Sequence, residues 1–124
     1  MPDLLDAGLA WLDRQRERFL TRPVVYRRGG QEAEVPATIG RTVFRLETGM
    51  GAIERIEARD YLIGVEHLTS FDQPRSGDRI VEDRDGQRHT VEVMAPGGEP
   101  AWRWSDPDRR VYRIHTKHLM TETL

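Results

Sequence analysis

The carboxylates that come closest to a metal-binding motif lie in the second half of the chain. Asp83 and Asp85 precede Gly86 as they would in a calcium loop, but that loop also requires an acidic residue at position 81, where this chain has Val81. Asp-Gly is a favoured dipeptide of tight β-turns. We therefore interpret this segment as a hairpin turn and expect no metal site.

The other polar residues show no catalytic spacing. His115 and His118 are three residues apart in a predicted strand, which places their side chains on opposite faces. Glu54 and Glu57 are expected to be solvated rather than to act as an acid and base pair. The chain contains no cysteine, no G-x-S-x-G elbow and no glycine-rich phosphate loop. We predict that the protein is not an enzyme and uses no cofactor.

Aromatic and basic residues near the C-terminus allow a binding function. Trp102 and Trp104 point to one face of a predicted strand, where they can stack on bases or fill a core, and the core is the commoner role. A basic cluster follows, formed by Arg109, Arg110, Arg113 and Lys117. It can meet nucleic acid or an acidic patch on a protein partner. The net charge of −2 favours the protein partner, and a single-stranded nucleic-acid-binding protein is the alternative.

The length and composition indicate one domain. The chain has 124 residues, of which 32% are charged, and this allows a single modest core. It has neither a signal-peptide pattern nor an apolar window near the roughly 20 residues that span a bilayer. We expect a soluble protein that is not exported and has no membrane partner.

The N-terminal segment, residues 1–22, predicts an amphipathic α-helix. Asp3 is a suitable N-cap, and Leu5, Leu9 and Leu12 follow at helical spacing. Pro23 disfavours helical backbone at the residue before it, so the helix should end there.

After Pro23 the hydrophobic period changes to two, which indicates strands. Gly29 and Gly30 favour a type I′ hairpin turn between the first two strands. Pro36 has no N–H to donate, so the second strand should be bulged there or lie at a sheet edge open to a neighbouring subunit.

Residues 47–59 interrupt this pattern. The segment contains two glycines and a short apolar run, and periodicity does not decide between a loop and a short helix. We favour a long mobile loop. Because such loops in compact domains are usually functional, this segment is the strongest candidate site in the first half of the chain. Its candidate residues are Gly49, Met50, Gly51, Ile53, Glu54, Arg55 and Ile56.

The remaining chain predicts further short strands separated by turns. Together the segments indicate a mainly β fold, a small antiparallel β-barrel or sandwich of about six to eight short strands with an N-terminal helix. The domain would comprise the helix at 1–22 and a β-barrel at 23–119, with the loop at 47–59.

The order of motifs from Pro74 onward resembles a known family. The motifs are Pro74-x-x-Gly77-Asp78-x-Ile80, the Asp85-Gly86 hairpin, Trp102-Arg103-Trp104-Ser105-Asp106 and the strand Tyr112-Arg113-Ile114-His115-Thr116. The chain resembles the head-tail joining, or head-completion (stopper), proteins of tailed bacteriophages. The match covers about half of the chain. The N-terminal helix departs from the many stoppers that begin directly with strands.

The resemblance implies a structural protein of the virion or of a prophage. Such a protein is made in the bacterial host cytoplasm and forms a ring, hexamer-like, between the portal or adaptor protein and the tail terminator or tail tube protein. The resemblance also implies that a mid-chain loop contacts symmetry-related copies and helps to retain packaged DNA, with non-specific DNA contact. By position, this loop would be residues 47–59, and the basic end of the chain would bind a partner.

Overall fold

The computed structural model describes residues 21–124. The predicted N-terminal helix lies outside these residues except for its last positions, and Arg22 is already the first residue of a strand. No helix within residues 21–124 is long and apolar enough to cross a membrane.

Seven antiparallel strands form one sheet, which confirms the mainly β prediction and its strand number. The strands are β1 (Arg22–Arg28), β2 (Gln31–Glu47), β3 (Ile53–Gly64), β4 (Arg79–Arg84), β5 (Gln87–Val93), β6 (Trp102–Trp104) and β7 (Val111–Thr123). Their order is β3-β2-β1-β4-β5-β7-β6, and β3 also pairs with β7, so the chain of pairings returns on itself. Strand β7 continues past residue 119, where we expected the β-barrel of the 1–124 domain to end, because its last residues pair with β5.

Two hairpin turns test the turn predictions. Asp85 and Gly86 have φ values of 53° and 72°, as the predicted turn between β4 and β5 requires. Gly29 also has a positive φ, of 59°, but Gly30 does not. The type I′ prediction for that turn is therefore wrong, although the two-residue hairpin itself is present.

The core comes from one face of each long strand. It consists of Val24, Tyr26, Val35, Ala37, Tyr61, Ile63, Leu68, Phe71, Ile80, Val91, Val93, Tyr112 and Ile114. Trp102 and Trp104 are partly buried and pack against this core. Their arrangement agrees with the core role that the sequence favours.

The segment predicted as a long mobile loop is a β-hairpin instead. Strand β2 pairs with β1 through Ala37 and with β3 from Thr38 to Glu47. Phe44 lies opposite Ile56, and only residues 48–52 form the turn. Cross-strand pairs between residues 38–47 and 53–62 stabilise the hairpin, and the hydrophobic period of one strand does not report which residues lie opposite it. We call residues 42–58 the arm.

Pro36 lies in the part of β2 that pairs only with β1 among the described residues. Its free side is consistent with the predicted edge position, since proline cannot donate to a second neighbour.

Candidate functional site

The tip of the arm presents apolar side chains to solvent. Gly49, Met50 and Gly51 lie in the turn, and Gly51 has a φ of 77°. Met50 is 95% exposed and Ile53 is 70% exposed, which are the highest exposures among the large hydrophobic residues described. The structure therefore brings the predicted loop residues together, but on a hairpin. Glu54, Arg55 and Ile56 continue along β3 toward the body.

The base of the arm is braced against the rest of the protein. The Phe44 ring meets the His115 ring edge-on, with centroids 4.9 Å apart. Leu46 packs on the 3-10 turn Pro96–Gly98, where a Cβ added to Gly97 would lie 2.3 Å from Leu46 Cδ1. The arm is thus contacted at Phe44 and at Leu46, which lies in the next-to-last pair before the turn, while Met50 and Ile53 at its tip are exposed.

A buried carboxylate fixes the strands beneath this brace. Asp60 is fully buried and accepts hydrogen bonds from Arg113 Nη1 at 2.8 Å and from the Thr42 hydroxyl. His115 Nδ1 lies 2.9 Å from its other oxygen. Burial alone would raise the pKa of Asp60, but the hydrogen bonds from His115, Thr42 and Arg113 outweigh it and leave the pKa lowered.

A second buried carboxylate, Glu82, gathers two arginines and a tyrosine. It accepts from Tyr61 Oη at 2.9 Å, Arg59 Nη2 at 3.1 Å and Arg22 Nη1 at 3.0 Å. These bonds outweigh burial and lower the pKa of Glu82. Burial is the main cause that raises the pKa of Tyr61 to about 12.

Asp78, the acidic residue of the Pro74-x-x-Gly77-Asp78 motif, has a structural role. Arg28 Nε and Nη2 donate to its two oxygens at 2.9 and 2.8 Å, and the Arg75 N–H donates at 2.9 Å. The Tyr26 hydroxyl is a further donor. Arg28 also donates to the carbonyl of Phe71, so this network ties the irregular segment 65–77 to β1.

Residues 21–124 contain no group of three or more His, Cys, Asp or Glu side chains that could hold a metal ion. The buried carboxylates instead have arginine, tyrosine, threonine and histidine partners. Each of the three is placed to stabilise the fold.

The four predicted basic residues do not form one patch. Arg113 pairs with Asp60, and Lys117 Nζ lies 3.9 Å from Glu92 Oε1. Arg109 and Arg110 lie at the opposite end of β7, in its connection with β6. Lys117 is seven positions beyond Arg110, about 23 Å at the usual rise of a strand. The structure therefore places Arg109 and Arg110 apart from Lys117, and partner binding by this end of the chain stays a prediction.

The tryptophan rings are used in packing. Trp104 stacks on Tyr112 with centroids 5.1 Å apart and planes inclined by 17°. Trp102 meets both rings edge-on, at 4.9 Å from Trp104 and 4.8 Å from Tyr112. Because Trp102, Trp104 and Tyr112 pack against one another, this geometry favours a role in the core over the stacking of nucleic-acid bases.

A cleft that the sequence did not reveal opens where β3 and β7 part. The two strands pair from Gly64 and Val111 as far as Arg59 and Thr116. Beyond that point β3 continues with β2 alone and β7 continues with β5 alone. The cleft contains a cavity of about 380 Å³. Its charged lining residues are Arg41, Glu57, Arg59, Arg84 and Lys117.

Comparison with known proteins identifies a family. A family model described as phage head-tail joining protein matches residues 2–123, nearly the whole chain. A search of curated proteins finds no match. The family match extends over the first half of the chain, where the sequence motifs were absent.

Proposed function

The chain belongs to the phage head-tail joining protein family, and from this premise we propose that it forms a ring between the head and the tail of the virion. Membership of the family supports a structural role in the head-tail connection and a place in the virion. The family is one of structural phage proteins, which agrees with the prediction of a non-enzymatic role. The ring, its hexamer-like number of copies and a stopper role are the parts that we propose.

The arm is the element that best supports assembly into a ring. Its tip exposes Met50 and Ile53, and exposed apolar groups of this kind are normally covered in an assembled protein. We propose that the tip contacts neighbouring copies and reaches the channel, where it helps to retain packaged DNA. The pairing of β3 with β7 supports a closed barrel as the rigid body that carries the arm.

The remaining partners follow from the position of such a ring. On one side it binds the portal or adaptor protein, and on the other it binds the tail terminator or tail tube protein. Non-specific contact with DNA is confined to the channel. The protein is made in the host cytoplasm before assembly, from an active phage or a prophage.

Electron microscopy with the portal complex tests this proposal. Light scattering should show small particles for the protein alone, and negative-stain images of the mixture should show an added ring on the portal. We expect rings only with the portal or at high protein concentration, because the contact of each arm tip requires a neighbouring copy of the protein. The proposal fails if the portal and the protein show no contact at any concentration.

A charge placed on the tip of the arm should prevent ring formation. Ile53→Asp puts a carboxylate where we expect an apolar contact, so binding between copies should weaken by at least about tenfold. Leu124→Asp is the matched control, because Leu124 is also exposed (64%) but lies at the end of β7. Sedimentation velocity with the portal measures both. Equal loss of rings in the two variants would contradict the role of the arm.

A further inference from the structure

The walls of the cleft between β3 and β7 are two unpaired strand edges. Residues 53–58 of β3 pair with β2 on one side, and residues 117–123 of β7 pair with β5 on one side. Among the described residues, nothing pairs with the other side of either stretch. These edges present backbone N–H and C=O groups to any extended chain that enters the cleft.

Positive charge lies at the base of the same cleft. Four of the charged lining residues are basic and one is acidic. Two of the arginines already have acidic partners. Arg41 Nη1 lies 3.5 Å from Glu57 Oε1, and Arg59 Nη2 lies 3.1 Å from the buried Glu82 Oε1. Arg84 and Lys117 have more distant acidic neighbours, Glu82 at 4.0 Å and Glu92 at 3.9 Å, so their charge is the least compensated.

Arg84 and Lys117 have incomplete partners. Arg84 Nε is shielded from solvent and has no hydrogen-bond partner in the described structure, since Glu82 Oε2 is 4.0 Å away. Lys117 Nζ is 3.9 Å from Glu92, and its side chain is 56% exposed. A buried guanidinium N–H without an acceptor costs free energy, so an incoming carboxylate would be bound favourably here.

We propose that this cleft binds an extended acidic segment of a protein partner by strand addition. Its main chain pairs with the edge of β3 or β7, and its carboxylates accept hydrogen bonds from Arg84 and Lys117. The free edges distinguish a peptide from DNA, because a peptide backbone can continue the ladder and a phosphate backbone cannot. The site deepens the proposed connector function, since it specifies the chemistry by which a neighbour at the junction attaches.

Binding of a labelled peptide tests the proposal on the free protein. The probe is a short fluorescent peptide with alternating valine and glutamate, followed by fluorescence polarisation at low salt. Arg84→Gln and Lys117→Gln should each weaken binding by about tenfold or more, because each removes a charge-assisted hydrogen bond. Arg79→Gln is the matched control, since Arg79 is an exposed arginine at the opposite end of β4. It should leave the affinity unchanged.

A second probe separates strand addition from simple charge attraction. The same peptide with alternate N-methylated amides keeps its carboxylates but loses main-chain donors, so its binding should fall by at least about tenfold. Equal binding of the methylated peptide would overturn strand addition. A duplex oligonucleotide that binds through Arg84 and Lys117 when the peptide does not would overturn the proposal in favour of DNA.

These outcomes are independent of ring formation. If the peptide fails to bind while rings still form on the portal, only the cleft proposal is wrong. If the portal shows no contact while the peptide binds as expected, the ring proposal is wrong and the cleft remains a peptide-binding site.

Discussion

At the scale of single residues, three buried carboxylates carry much of the polar chemistry of the described chain. Asp60, Asp78 and Glu82 are each less than 5% exposed, and each accepts from at least one arginine. A buried charge is tolerated only where such partners surround it. These buried carboxylates therefore hold strands together, while the arm tip and the cleft are the surfaces that we propose for partners.

Replacing Asp60 should destabilise the fold strongly. Asp60→Asn removes the charge that Arg113 and His115 face, and the free energy of unfolding should fall by about 2–4 kcal/mol. Urea denaturation followed by circular dichroism measures this loss. Asp83→Asn is the control, because Asp83 pairs with Arg88 on the exposed surface and should have much less effect. Similar losses in both variants would contradict the role assigned to burial.

At the scale of elements, the arm packs against the turn Pro96–Gly98 and has an exposed tip. Strand β2 changes its neighbour along its length, from β1 to β3. Strand β3 pairs with β2 over residues 53–62 and with β7 over residues 59–64. The turn Pro96–Gly98 packs on Leu46, close to the tip. This contact ties the outer part of the arm to the body.

Gly97→Ala should test the brace. Gly97 has a φ of 53°, and the added Cβ would collide with Leu46, so backbone strain and overpacking together should cost about 2–4 kcal/mol. Thermal unfolding measures the loss. Gly98→Ala is the control, since its φ of 86° imposes strain but no atom lies within 4 Å of the new Cβ. It should cost less.

Leu46 also provides a rescue. In a Leu46→Ala background the collision is absent, so Gly97→Ala should cost less there than in the native protein, and the double-mutant cycle gives the coupling. If the cost were the same in both backgrounds, the contact between the turn and the arm would not be the cause.

At the scale of the whole molecule, one sheet supplies both the core and the candidate surfaces. The pairing of β3 with β7 joins distant parts of the chain, and the cleft begins where that pairing ends. The arm and the cleft share strand β3, so both of the surfaces that we propose for partners belong to one sheet.

The protein should lose stability in acid. Burial opposes ionisation of Asp60, Asp78 and Glu82, but hydrogen bonds outweigh it, so their pKa values lie below the ordinary 3.8, 3.8 and 4.5. A lowered pKa in the folded state contributes stability above the unfolded pKa, and this contribution is lost as the pH falls through the folded pKa. The urea midpoint should therefore fall steeply below about pH 4.

The Asp60→Asn variant provides the comparison for that experiment. One of the three ionisable groups is then absent, so the urea midpoint should depend less on pH in the acid range than it does in the native protein. An equally steep acid dependence would show that Asp60 does not contribute.

The sequence predicted those features that depend on neighbouring residues. The prediction of the turn between β4 and β5 is confirmed, because Asp85 and Gly86 both favour positive φ. The alternation of apolar and polar side chains correctly indicated a mainly β fold. The motifs from Pro74 onward also pointed to the family whose model matches residues 2–123. At residues 47–59 the same reasoning failed, because two glycines and a short apolar run have no clear period on their own.

The arm, the clustering of buried charges and the cleft could be identified only from the tertiary structure. The arm exists because residues 38–47 find their partners at 53–62, and Asp60 meets Arg113 because β3 pairs with β7. The cleft exists because those strands then separate. Each feature depends on which strands become neighbours, and that choice follows from burial of the whole core, whereas a local sequence pattern reports only the face to which each side chain points.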